Sequence, residues 1–143
     1  MVEGGFSEQE RAAMRQRAEE LRSTTGVKGT AKRAREYDAC LAAIDALEGA
    51  DRAVAERLHV IVSEEAPDLA PRTWYGFPSY ARDDDVVVFF QPASKFGTRY
   101  GTVGFSEHAA LDEAEMWPTS YAVTAVNGPV EERLRELVRR AAG

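Results

Sequence analysis

The apolar periodicity of this chain changes at Pro67. Before it, apolar residues recur three and four positions apart. After it, they alternate or run together between glycines and prolines. A chain that passes from the helical period to the strand period, and returns to helix at its end, folds as an α+β domain. The expected architecture is one domain: an antiparallel or mixed sheet of about five strands flanked by helices.

The local signals place the elements. Ser7-Glu8-Gln9-Glu10 fits a capping box that opens a first helix, with Met14, Ala18 and Leu21 as a narrow apolar stripe. Thr24 to Gly29, with two glycines and no periodicity, reads as a linker. Residues 1–29 are therefore expected as a helical arm and linker, and 30–143 as the α+β body. A second helix is predicted over Ala31–Leu47, with Tyr37, Leu41, Ile44 and Leu47 on one face and Gly49 as its stop. Asp51 is the expected cap of a third helix, which buries Val54, Leu58, Ile61 and Val62 and ends at Pro67.

Short strands follow at Arg72–Tyr75 and Ser79–Ala81, and Asp83-Asp84 forms a hairpin turn. The run Val86–Phe90 is apolar without alternation and is expected as a central strand covered on both faces. Arg99–Phe105 is a strand whose two glycines mark a close backbone approach or a bulge. Ser120–Val126 alternates, with Tyr121, Val123 and Ala125 on one side. Pro129 opens a last helix that buries Leu134, Leu137, Val138 and Ala141.

Composition narrows the functional classes. At 143 residues and a formal charge of −6, the chain lacks the clustered cations that phosphate-backbone binding requires, so nucleic acid is not an expected partner. The cluster Lys28, Lys32, Arg33 and Arg35 reads as a solvated helix start. No apolar run approaches the roughly 20 residues of a membrane helix, and no membrane partner is expected. The opening residues Met1 to Phe6 carry neither a basic start nor an apolar stretch, so no signal peptide is expected. A lone cysteine, Cys40, fits a reducing compartment, and a cytoplasmic location is expected. Cys40 itself reads as a small buried side chain. Nucleophile elbow, phosphate loop and dinucleotide fingerprint are all absent from the sequence, so enzyme activity is not expected and no catalytic residue is assigned.

Two groups of residues carry candidate chemistry. Trp74-Tyr75-Gly76-Phe77-Pro78-Ser79-Tyr80 concentrates four aromatics in seven residues. If Trp74, Tyr75, Phe77 and Pro78 meet Trp117 near the end of the apolar strand, where Lys95 and Arg99 follow, they form an aromatic-walled pocket with two cations. Such a pocket suits a small anionic or planar ligand: rings supply contact area and arginine chelates a carboxylate or phosphate. The plainer alternative is that the rings fill a core and the cations decorate the surface. The second group is acidic. Asp83, Asp84, Asp112, Glu113 and Glu115, with His108, are oxygen and nitrogen donors for a divalent cation. Equally, the aspartates are turn formers and His108 lies in a solvated loop. His59, at the edge of the third helix's apolar face, reads as a partly exposed structural residue.

From Leu58 to Arg140 the chain resembles the bacterial YdhG-like family, a domain of unknown function of which some members are named frataxin-like intracellular iron chaperones. The resemblance is carried by Ala66-Pro67, Tyr75-Gly76-Phe77-Pro78 with Tyr80, the Val86–Phe90 strand, Gly104-Phe105 and the Leu134–Val138 helix. Phe89–Tyr100 and Met116-Trp117-Pro118-Thr119 resemble a subgroup that carries an extra charged helical N-terminus. It implies a compact α+β fold in which the Tyr-Gly-x-Pro stretch opens the sheet, and an iron-handling role. Three functions are thus expected in order: a non-enzymatic binding domain for a small ligand, an iron chaperone ligating ferrous iron through surface carboxylates, and an interaction module. The last would be a monomer or homodimer docking through the Met14/Leu21 stripe.

Overall fold

A computed structural model describes residues 6–26 and 28–143; Met1–Gly5, from which no signal peptide was expected, and Val27 of the linker lie outside the described residues. Among the described residues five helices accompany one five-stranded sheet. Helices α1 (Glu8–Thr24), α2 (Gly29–Asp45) and α3 (Gly49–Glu65) precede strands β1 (Ala70–Trp74), β2 (Phe77–Arg82) and β3 (Asp85–Gln91). A single helical turn, α4 (Ala93–Phe96), leads to β4 (Gly101–Phe105), β5 (Ser120–Val123) and α5 (Gly128–Ala142). The strands form an antiparallel meander in the order β1-β2-β3-β4-β5. None of these helices is long and apolar enough to cross a membrane.

The register separates the two faces of the sheet. Tyr80 pairs with Val88 and Val88 with Phe105; two residues along, Phe90 pairs with Val103 and Val103 with Tyr121. This face joins Cys40 and Ile44 of α2, Val54, Leu58, Ile61 and Val62 of α3, and Leu134, Leu137 and Val138 of α5 in one core. Trp74, Phe77, Phe89 and Gly104 alternate onto the other face. On β3, Val86, Val87, Val88 and Phe90 are buried, as a central strand requires, whereas Phe89 is half-buried.

The glycines of β4 mark close approaches. A Cβ on Gly104 would stand 2.3 Å from the Phe89 ring, and one on Gly101 would stand 2.7 Å from the Phe90 ring. Each strand glycine therefore serves as the floor beneath an aromatic ring.

Several local expectations are corrected. Glu48, not Asp51, is the N-cap residue of α3. The Asp51 carboxylate reaches across to α4 and accepts hydrogen bonds from the Ala93 amide (2.9 Å), the Ser94 amide (3.0 Å) and the Ser94 hydroxyl (2.6 Å). The chain after β3 consequently turns once as a helix before β4. Strand β5 ends at Val123, three residues short of the expected limit, and Ala125 is exposed. On α1 the buried residue is Ala13, while Met14 and Leu21 are 37% and 53% exposed. The capping box at Ser7 and Glu10 forms as expected.

Candidate functional site

The hairpin between β1 and β2 organises the aromatic cluster. Trp74 pairs with Phe77, so the turn is the two residues Tyr75 and Gly76, and both have positive φ (56° and 86°). Such two-residue turns match the twist of the strands and favour Asn, Asp or Gly, because a Cβ is strained there. A tyrosine at this position is an outlier whose ring must be held by its surroundings. The Tyr75 ring lies 6.5 Å from Phe77 in a stacked arrangement, and 5.3 Å from Trp74 edge-on. Phe77 in turn meets Trp74 at 6.0 Å, Phe89 at 5.5 Å and Phe96 at 6.0 Å. Pro78, the next residue of β2, is buried.

Helix α1 packs beside this cluster. Ala13 and Met14, together with Phe6, bound an apolar cavity of about 310 Å³ whose other walls are Tyr75, Phe77 and Phe96. Glu10 and Gln91 are the two polar residues lining it. A second groove of about 520 Å³ runs between α1 and α2, bounded by Gln16, Glu20, Ala43, Leu47, Gly76 and Lys95 among others. The Glu20 carboxylate joins α1 to the turn: Oε1 accepts from the Tyr75 amide (3.2 Å) and Oε2 from the Gly76 amide (2.8 Å).

The expected pocket is thus only partly assembled. Trp74, Tyr75, Phe77 and Pro78 come together, and Lys95 lies beside the turn, its Nζ 2.9 Å from where a Cβ on Gly76 would stand. Trp117 does not join them. The connection from β4 to β5 runs over residues 106–119 and fixes Trp117 at the far end of β4, where the Phe105 amide donates to the Thr119 carbonyl. There Trp117 lines a separate cavity of about 540 Å³ with Phe105, Glu107, Asp112, Glu115 and Met116. Arg99 is likewise elsewhere, exposed and stacked over the Tyr100 ring at 5.3 Å. Phe89, Phe96 and Glu20 belong to the cluster without having been singled out.

The acidic candidates are spread over several elements. Asp83 (φ 56°) and Asp84 form the β2–β3 turn, and Asp84 pairs with Lys32 at 3.2 Å. His108 lies 3.7 Å from Asp85, and Glu113 pairs with Arg140 at 3.1 Å. Asp112 and Glu115 line the Trp117 cavity. Among the described residues no three His, Cys, Asp or Glu side chains gather as a metal site.

Two further titratable groups are structural. Cys40 is fully buried, and burial pushes its thiol up to about 11 despite opposing hydrogen bonds from Tyr80, Ser79 and Arg72. His59 is half-buried, and its desolvation lowers its pKa. The neutral ring lies with Nδ1 3.1 Å from the Tyr80 hydroxyl, within hydrogen-bond distance. This pair anchors α3 to β2 within the core, as expected for a structural histidine.

No family model, curated protein or solved structure matches this chain.

Proposed function

We propose that the chain is a non-enzymatic binding domain that holds a small planar ligand against Tyr75, Phe77 and Phe96, beneath α1. The observation that carries this reading is Tyr75. A bulky ring sits at a turn position where Asn or Gly would relieve roughly 1–2 kcal/mol of strain, and that ring walls an apolar cavity. Retaining strain at such a place is characteristic of sites whose side chain has a task beyond the fold. The cavity is lined almost wholly by apolar and aromatic side chains, which favours a flat apolar body over a strongly hydrated one.

A thermal-shift screen tests the reading, with 2-naphthamide, 2-naphthoate, inorganic phosphate and anaerobic ferrous iron as probes. A ligand at a hundred times its dissociation constant adds about 2.7 kcal/mol, or roughly 5–10 °C in Tm for a domain of this size. The expected result is a shift with the aromatic probes. A panel in which neither naphthyl compound moves Tm overturns the proposal. A shift with ferrous iron alone supports the chaperone role that the resemblance implies, with Asp83, Asp84, His108, Asp112, Glu113 and Glu115 as the residues to substitute.

One observation favours a second reading, an interaction module. Phe6, Met14 and Leu21 are 60%, 37% and 53% exposed on or next to α1. A homodimer docked through them would show twice the monomer mass in solution, and Leu21→Asp would return it to the monomer.

A further inference from the structure

The Tyr75–Gly76 turn is built as an anion site, and its occupant belongs to the chain itself. Two successive residues at positive φ turn their amides to one side, a concavity that binds anions. Both amides donate to Glu20, one to each carboxylate oxygen. Arg17 Nη1 lies 3.2 Å from Glu20 Oε1, and the Lys95 ammonium is packed against Gly76. Two amides and a guanidinium thus surround a carboxylate that is only 13% exposed. The strength of charge-assisted hydrogen bonds makes this more than a chance contact.

The helix that supplies this carboxylate is otherwise lightly fixed. Ala13 is the one buried residue on α1 among the described residues, and the large apolar side chains Met14 and Leu21 remain exposed. Tyr75 belongs to both sites: its amide binds Glu20 and its ring walls the neighbouring apolar cavity. A molecule with a flat apolar body and a carboxylate at its edge matches both at once.

Resting on the planar-ligand reading above, we infer that Glu20 occupies the place of a ligand's carboxylate, so that α1 is a displaceable strap and the ligand is a planar aromatic carboxylate. Binding moves Glu20 out of the turn, and the incoming carboxylate takes over the Tyr75 and Gly76 amides. While Glu20 sits in the turn, the competent state is a minor one, and apparent affinity falls by its population.

The test titrates the full chain and its Glu20→Ala variant with 2-naphthoate and with the neutral 2-naphthamide. Glu20→Gln, which keeps the side chain's length but not its charge, is run alongside in case the shorter side chain unfolds α1. The strap predicts that Glu20→Ala tightens 2-naphthoate at least about tenfold, as expected when a competent state of about 10% becomes dominant. The affinity for 2-naphthamide should change by less than about threefold, since it has no charge to place in the turn. Amide exchange gives a second readout that a merely structural glutamate would not produce. Tyr75 and Gly76 should exchange faster in Glu20→Ala, and 2-naphthoate, but not 2-naphthamide, should restore their protection. If Glu20→Ala and Glu20→Gln bind the two probes with the wild-type ratio, the strap is wrong while the aromatic site stands. If neither probe binds any of the three proteins, the aromatic site fails and the strap fails with it.

Discussion

Phe77→Ala is expected to lower stability by about 3–5 kcal/mol and to remove the binding of planar probes. The Phe77 ring is 5% exposed although it lies on the sheet face away from the main core. It is the common neighbour of Trp74, Tyr75, Phe89 and Phe96. Truncation removes the ring's burial and also leaves four aromatic partners around a void, which the turn and α4 cannot close without moving. Phe77→Leu separates the two effects. An aliphatic side chain of comparable size should cost less than about 1.5 kcal/mol, yet it lacks the flat face on which a planar ligand stacks. Urea denaturation and probe titration of both variants check the pair. A loss below about 1 kcal/mol for Phe77→Ala would show that the ring's contacts with its four aromatic neighbours contribute little to stability.

The second large effect is expected at Asp51, and it depends on pH. Its carboxylate caps α4 from the first turn of α3, and removing such a cap costs about 1–2 kcal/mol. Partial burial pulls the Asp51 pKa upward, but the hydrogen bonds from Ser94 and Ala93 outweigh it and leave the folded-state value below the ordinary one. A depressed folded pKa gives stability that is present above the unfolded value of about 3.9 and disappears as pH falls through the folded value. Asp51→Ala should therefore be markedly destabilised at pH 7. The gap to the wild type should narrow below about pH 4, where the wild-type carboxylate also takes up a proton. Urea midpoints at pH 7 and pH 3 measure this; a gap of equal size at both would mean that the carboxylate's charge has no part in holding α4. Glu65 and Glu131 act in the same direction. Their pKa values are lowered chiefly by hydrogen bonds from Arg135 to Glu65 and from Arg57 to Glu131, in the network that joins α3 to α5.

Much of the fold is legible in the residues because the determining signals are local. The α3 face, the apolar β3 run, the Asp83-Asp84 turn and the proline at the start of α5 each follow from spacing within a dozen residues. The glycines of Arg99–Phe105 announce a close approach, and rings do lie against both Gly101 and Gly104. The stripe on α1 misleads, because spacing identifies a face of a helix but not which face the rest of the molecule covers. Both Ala13 and Met14 line the cavity beside Tyr75 and Phe77, but only the small Ala13 is buried there.

The candidate site is legible in part. Trp74 to Pro78 declares itself by composition, but the expected strands end at Tyr75 and resume at Ser79, whereas the turn is Tyr75 and Gly76 and β2 begins at Phe77. Trp117 is misplaced by sequence reasoning because an aromatic residue says nothing about which end of a strand its loop reaches; that is decided by the length of the 106–119 connection. Phe89 is recoverable from alternation, which sets it opposite Phe90 and on the same face as Phe77. Glu20 has no local signature at all, being one acid on a charged helix. Its importance comes from a contact between residues more than fifty positions apart.

The most direct measurement of the central claim is a backbone-amide NMR titration of the full chain with 2-naphthamide. The neutral probe tests the aromatic site without relying on the displacement of Glu20. The account predicts saturable shifts centred on Tyr75, Gly76 and Phe77, extending to Ala13, Met14, Gln91 and Phe96. Saturable shifts centred instead on residues 105–119 around Trp117, or no saturable shift anywhere, would contradict it.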